Sequence, residues 1–533
     1  MDTPDWIPFV GGPSRPAEPF LERAADWAAA LSYGDIPHPV RRAGRAQLTS
    51  GVGAALRTGT HPIGDRIRGA IESSGGAATV LGGGRAAPAT AAVSNGVLAS
   101  ALEFDASVLG GRTDASCVFV PLAYAEATGA DGEELLVAQV AANEITARLG
   151  AAVTTGPFAG PDAAWIHAAG AATGRAVIED DSPETLAEAL ATALSEPPRP
   201  IERSALGADA GVWRPEAPIR TGLAAVESAR SGIEGRTDLI EGDEGLLSGL
   251  CRRPAWEYLS GFGERWHTAA LSVRPVPGSA YVAAATEAAL EARGRFDRGR
   301  TTIRAVEVYG PHALYSMDAV ANRYLDDGRA PIAAAVRSAR RATAEALVHG
   351  EITPQRIGAR GGRGAIPRVV DRVDLDHEPA LTIAALRSSV PEGIKFDGMG
   401  RAVAPGVARA VGARATLRHP PTVVGTGRRL AAVPDPEEIE RRIGARVVVR
   451  TADGRAVEGS LERPSGVAGA PPAEIRAVAR RKCRESLGAL GVSESVARTR
   501  TDRLSRIDEE PAVRLGWLFE GSASRRAGGD GNT

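Results

Sequence analysis

At 533 residues the chain exceeds the size at which one hydrophobic core keeps growing, and its 43% hydrophobic content supplies apolar surface for two structural units. Lys+Arg 63 against Asp+Glu 65 leaves a net charge of -2, which excludes the broad positive field of a nucleic-acid binder or of a protein drawn to anionic membranes. Cys117, Cys251 and Cys483 are widely spaced and fit neither a disulfide framework nor a zinc site, so a reducing, cytoplasmic setting is expected. The opening MDTPDWIPFVGGPSRP lacks a signal-peptide pattern and no run approaches the roughly 20 apolar residues of a membrane helix. The expectation is a soluble, unexported protein.

Residues 1–19 read as a flexible arm. A first helix is predicted over PFLERAADWAAALSYGDI, where Leu21, Ala24, Ala25, Ala28 and Leu31 recur at helical spacing, with Pro37 and Pro39 as its stop. Two more follow in VRRAGRAQLTSGVGAALRTG and IGDRIRGAIES, then a short extended piece and glycine turn in ATVLGGGRAAP. From Pro88, Val93, Val97, Ala101 and Leu102 form one narrow face of mostly small residues, suited to close helix approach. An acidic loop with Glu103, Asp105 and Asp114 comes next. Asp131 and Glu134 have the spacing of an N-cap for a helix ending at Gly150. Alanine-rich helices at 163–177 and 184–195, the PPRP cluster at 197–200 and the helix IRTGLAAVESARSG complete an all-helical first half.

The pattern changes after His267. TTIRAVEVYG alternates as a half-buried strand does, and Asp453-Gly454 between two strand-like runs is a hairpin signal. Helices are predicted at 279–293 and 330–349, a Gly/Pro/Arg-rich stretch at 350–436, and helices again at 472–489 and 493–507, with residues 521–533 as a flexible tail. Residues 270–470 therefore read as a separate α+β unit with insertions.

Several stretches resemble the MmgE/PrpD family of 2-methylcitrate dehydratase, cis-aconitate decarboxylase and iminodisuccinate epimerase. They are ADWAAALSYGDIP, TVLGGGRAAPATAAVSNGVLASALEFD, HAAGAATGRA, DLIEGDEGLLSGL, SVRPVPGSAYVAAATEAALEA and the hairpin VVVRTADGRAVEGSLERPSG, together spanning roughly residues 20 to 520. The resemblance implies a mainly α fold with a smaller α+β domain: a helical domain built from both chain ends (20–269 and 471–520) and a central α+β lid (270–470). It also implies a homodimer acting on small polycarboxylates in the interdomain cleft, with no metal and no organic cofactor, and with neither nucleic acid nor membrane as partner. In such enzymes cations neutralise the substrate carboxylates while a group with a matched pKa moves a proton.

Carried over residue by residue, the family's set changes. Its Asp-aromatic-Asp-Asp motif matches Glu103-Phe104-Asp105-Ala106, putting glutamate at the catalytic aspartate position. Thr-His-Pro-Ser matches Thr113-Asp114-Ala115-Ser116, with Asp114 at a histidine position. The next histidine falls on Pro161, with His167 where glycine is usual. The lysine before Leu-His-x-Gly falls on Gly211, and that motif becomes Trp213-Arg214-Pro215-Glu216. The lid's Lys-x-x-Pro begins with Arg274, and its histidine position is Ser279. Lys395 and Lys482 are the only lysines, so no lysine exists in the first 394 residues to fill either role.

Glu103, Asp105 and Asp114 either form a cluster whose crowding raises one pKa, or cap helices and pair with Arg85, Arg112 or Arg148. His167 is either a satisfied core histidine or a ligand-binding one. By resemblance Arg274 and Tyr281 line the cleft. Cys117 has no evident histidine partner, and the glycines at 82–84 lack phosphate-loop spacing. RSARR at 337–341 and ARRKCRE at 479–485 read as solvated helix faces. Two functions follow. The first is a lyase or isomerase in which Glu103, Asp105 or Asp114 carries the proton, Arg274 clamps an anion, and Arg214, Tyr281, His167 and Ser279 bind substrate, with 2-methylcitrate a poor one. The second is a non-catalytic binding or assembly partner, expected to have a filled cleft.

Overall fold

Helix α1 (Phe20–Ala30) ends where Leu31 turns extended, and the prolines expected to stop it instead open α2 (His38–Gly59). Proline is tolerated there because the first turn of a helix has no partner for its N–H. The computed structural model describes residues 18–71, 75–109, 111–153, 163–198, 201–251, 254–296, 302–325, 330–358, 365–387 and 435–520. Pro161, much of the Gly/Pro/Arg-rich stretch and most of both tails lie outside them.

After α3 (Pro62–Ala70), the glycine turn joins the antiparallel pair β1 (Ala78–Val80) and β2 (Gly84–Ala86). Helix α4 (Pro88–Ser100) was expected to bury one narrow face, yet Ala91 to Ala99 are all buried. It runs between neighbouring helices on every side, and Gly96 permits one of these approaches: a Cβ there would stand 2.5 Å from the Ala115 carbonyl oxygen. The acidic loop carries β3 (Ser107–Val108) and leads into α5 (Asp114–Cys117) and α6 (Phe119–Thr128). In α7 (Gly132–Ala152) the predicted cap forms a reciprocal pair, Glu134 N donating to Asp131 Oδ1 at 2.9 Å and Asp131 N to Glu134 Oε2 at 2.8 Å. Helices α8 (Ile166–Ile178), α9 (Pro183–Leu194), α10 (Glu202–Gly207), α11 (Glu216–Arg230) and α12 (Leu246–Leu250) follow.

Strand β4 (Leu271–Ser272) pairs with β3, tying the second half of the chain to the acidic loop. Next come α13 (Ala280–Arg293), β5 (Ile303–Gly310) and α14 (His312–Asn322). The single helix expected over 330–349 is two, α15 (Ile332–Ala335) and α16 (Ala339–His349), because the Ser338 hydroxyl caps a new start by accepting from Arg341 N at 3.4 Å. Then come α17 (Ala365–Val370), β6 (Val373–His377), α18 (Pro379–Arg387), β7 (Ala445–Thr451) and β8 (Ala456–Leu461). The sheet order is β6-β5-β7-β8, with β5–β6 parallel and the other pairs antiparallel. Gly454 makes the predicted hairpin turn at φ 86°. Val306 and Val308 of β5 and Val447 and Val449 of β7 share one apolar core with Ala284, Ala285, Ala288 and Ala289 of α13. The fold is mainly helical with a small mixed sheet, and no helix among the described residues is long and apolar enough to cross a membrane.

Helices α19 (Pro472–Ala489) and α20 (Glu494–Leu504) close the described chain. Helix α19 packs along α2, and Gly53 sets how near: a Cβ there would lie 2.9 Å from both N and Cα of Cys483. Gly53→Ala is therefore expected to push the two helices apart and destabilise the protein by about 1–3 kcal/mol. A thermal unfolding midpoint equal to that of the parent would contradict so close an approach.

Candidate functional site

The loop after α4 is built under tension. Glu103 and Leu109 both have φ 49°, a left-handed conformation that non-glycine residues adopt only when surroundings hold them. The restraints are visible. Gly278 N donates to the carbonyls of Leu102 and Glu103 at 3.2 Å each, and Arg274 Nη1 donates to Asp105 O at 3.0 Å.

Two of the loop's three carboxylates, Glu103 and Asp105, meet guanidinium groups. Glu103 Oε1 accepts from Arg337 Nε at 2.9 Å and Nη2 at 2.6 Å, with Arg112 Nη1 at 3.3 Å. Burial by itself would raise the Glu103 carboxyl, but Arg337 and Arg112 outweigh it and hold the group well below the usual carboxylate range. Asp105 takes Arg112 Nε at 3.0 Å on each oxygen and Arg274 Nη1 at 3.4 Å. Glu103 and Asp105 pair with Arg112, as one reading of the acidic loop expected, whereas Asp114 does not and is raised by burial and by neighbouring Asp105, as the other expected. Arg85 and Arg148 are engaged elsewhere, Arg85 on the carbonyls of Gly76 and Ala77 and Arg148 on Glu144.

In front of these pairs lies a cavity of about 40 Å³, lined by residues including Ser100, Glu103, Asp105, Arg112, His167, Arg214 and Ala333. That is room for about three water molecules. His167 stands in its wall, 6% exposed, with Nδ1 2.9 Å from Ser116 Oγ. Burial pushes its pKa down to about 4 against the pull of Asp105, which keeps the imidazole neutral near pH 7.

Behind the loop lies a second layer that does not line the cavity. Asp114 Oδ2 accepts from Ala106 N at 2.6 Å and Oδ1 from Gln47 Nε2 at 2.9 Å; Gln47 also reaches Thr113 and Asn143. Burial and neighbouring Asp105 raise Asp114 to about 6. Facing it electrostatically is Lys482 of α19, whose Nζ donates to Phe104 O at 2.7 Å and Ser50 Oγ at 2.8 Å and sits 4.1 Å from the Phe104 ring centroid. Burial pulls this amine down to about 7, although Asp114 and Asp105 oppose the shift.

Glu103, Asp105, His167 and Arg214 are thus brought together at the cavity, with Arg274 touching it through Asp105. Asp114 is one layer back. Ser279 caps α13, its Oγ accepting from Val282 N at 3.3 Å, and Tyr281 is buried in the core of the sheet; neither lines the cavity. Two basic runs need correction. Arg337 and Lys482 sit in clusters read as solvated helix faces, yet they are 9% and 2% exposed and turn inward onto the loop. The scarcity of lysine was the one signal for Lys482, one of two lysines in the chain. Nothing in the sequence set Arg337 apart from Arg340 or Arg341.

Among the described residues no group of three or more His, Cys, Asp and Glu side chains is placed to hold a metal ion. Residues 22–259 match the family described as the MmgE/PrpD N-terminal domain, a span that contains Glu103, Asp105, Arg112, His167 and Arg214 but stops short of Arg274, Arg337 and Lys482. No curated protein shows a significant match to the chain.

Proposed function

Because residues 22–259 belong to the MmgE/PrpD N-terminal domain family, we propose that the cavity is the reaction site of a lyase or isomerase acting on a small organic acid other than 2-methylcitrate. The observation that carries this reading is a cavity wall combining two arginines with a neutral histidine. Arg112 and Arg214 hold the substrate carboxylate. His167 takes the proton from the adjacent carbon: in the tautomer that donates Nδ1–H to Ser116, Nε2 carries the lone pair that accepts it. A bound carboxylate raises the basicity of His167, since a nearby negative charge favours the imidazolium. The electron pair left on carbon becomes an enolate, neutralised by the same arginines, and either expels a leaving group or recovers a proton. Glu103 is too weak a base in its ion pair for this step, which shifts the proton carrier from the acidic loop to His167. On this reading the helices of both chain ends form one unit, the α+β part is its lid, and the working form is a homodimer; a sedimenting species of 55.1 kDa would remove the last element.

A second reading is favoured by the cavity volume, which is far below the roughly 300 Å³ or more of ordinary ligand pockets. A filled, ion-paired interior is what a non-catalytic assembly partner would have. One experiment separates the two. The protein is incubated in heavy water with 2-methylcitrate, cis-aconitate and simple mono- and dicarboxylic acids. The enzyme reading expects deuterium next to a carboxylate of one of the simpler acids, and His167→Gln to slow uptake by about 100-fold or more. No exchange with any acid supports the assembly partner, and full turnover of 2-methylcitrate overturns the proposed change of substrate.

A further inference from the structure

We infer that Glu103 is an internal ligand: its carboxylate occupies the arginine cluster that a substrate carboxylate takes over when it binds. The inference rests on reading the cavity as the reaction site. All the contacts described for this carboxylate converge on one oxygen, Oε1, from Arg337 Nε and Nη2 and from Arg112 Nη1, and the charge of Arg214 adds to theirs. That is the arrangement by which guanidinium groups recognise a carboxylate ligand. A cavity of about 40 Å³ has no room for a second carboxylate beside the first, so a ligand enters by displacement.

The chemistry of the cluster names the ligand class: guanidinium groups that hold the Glu103 carboxylate hold the carboxylate of a ligand in its place. Glu103 thereby sets specificity: an uncharged ligand cannot compete with a tethered carboxylate, and an acid can.

Changing Glu103→Ala deletes one methylene and the carboxylate, the equivalent of acetate. Calorimetry on this variant and the parent, at constant ionic strength, is expected to show acetate binding at least tenfold tighter to the variant, with an unfolding midpoint that climbs with acetate concentration. Equal or weaker binding overturns the inference, as does an equal gain with chloride, which would mean no carboxylate recognition. If the alanine variant does not fold, Glu103→Gln keeps the volume and removes the competing charge. It is expected to bind succinate at least tenfold tighter than the parent, and no gain overturns the inference. Turnover plays no part in either measurement. A chain that binds as stated but transforms no acid would defeat the lyase reading and leave this inference standing.

Discussion

Replacing Arg112 by methionine is expected to lower the unfolding free energy by about 3–5 kcal/mol, the cost of removing one partner from a buried ion pair. Arg112 serves four acceptor atoms on three residues at once: both oxygens of Asp105, Glu103 Oε1, and the Ser100 carbonyl at 2.9 Å. Asp105 is fully buried, so without Arg112 its carboxylate loses its bidentate partner and keeps the longer contact to Arg274. Methionine fills the space of the arginine stem, which confines the loss to charge and hydrogen bonds rather than a cavity. Urea unfolding of the two proteins measures the difference. A loss below about 1 kcal/mol would mean the pair behaves as a solvated surface bridge.

The second large effect is on pH dependence and comes from Lys482. Its pKa is about 7 in the folded protein against 10.5 for a solvated lysine. Between those values the unfolded chain carries a proton that the folded protein does not. Stability from this group is therefore lowest below about pH 7 and rises with pH, by roughly 1.4 kcal/mol per pH unit, until the unfolded chain also loses the proton. Asp114 has the opposite sign. Held above the 3.8 of a solvated aspartate, it favours the fold most below that pH and loses its contribution as pH rises through about 6, before the lysine window opens. The difference in stability between the parent and Lys482→Met, followed by urea unfolding from about pH 8 to about pH 10, should thus grow steadily in the parent's favour. Parallel profiles would show that Lys482 is hydrated in the folded protein.

Much of the helical order was legible because its signals are local. The Asp131 and Glu134 spacing, the hairpin at Gly454 and the alternation in β5 each act within a few residues. Pro37 and Pro39 misled because proline terminates one helix and opens the next with the same chemistry. The break at Ser338 was missed because serine inside an alanine-rich run gives no sign of whether its hydroxyl faces solvent or a backbone N–H. The all-round burial of α4 depends on how many neighbours pack against it, which periodicity cannot count.

By itself the sequence determined where the polar residues of the loop fall and that lysine is nearly absent from the chain. Tertiary structure alone decided what those residues do. Arg337 lies 234 positions from Glu103, and Lys482 lies 378 from Phe104. Whether a charged side chain is a solvated face or a buried partner depends on which distant helix it meets, and for Lys482 that was settled by a glycine on α2. The physical reason is the range of the forces. Capping and turn formation act on neighbours along the chain, whereas burial and ion pairing act on neighbours in space.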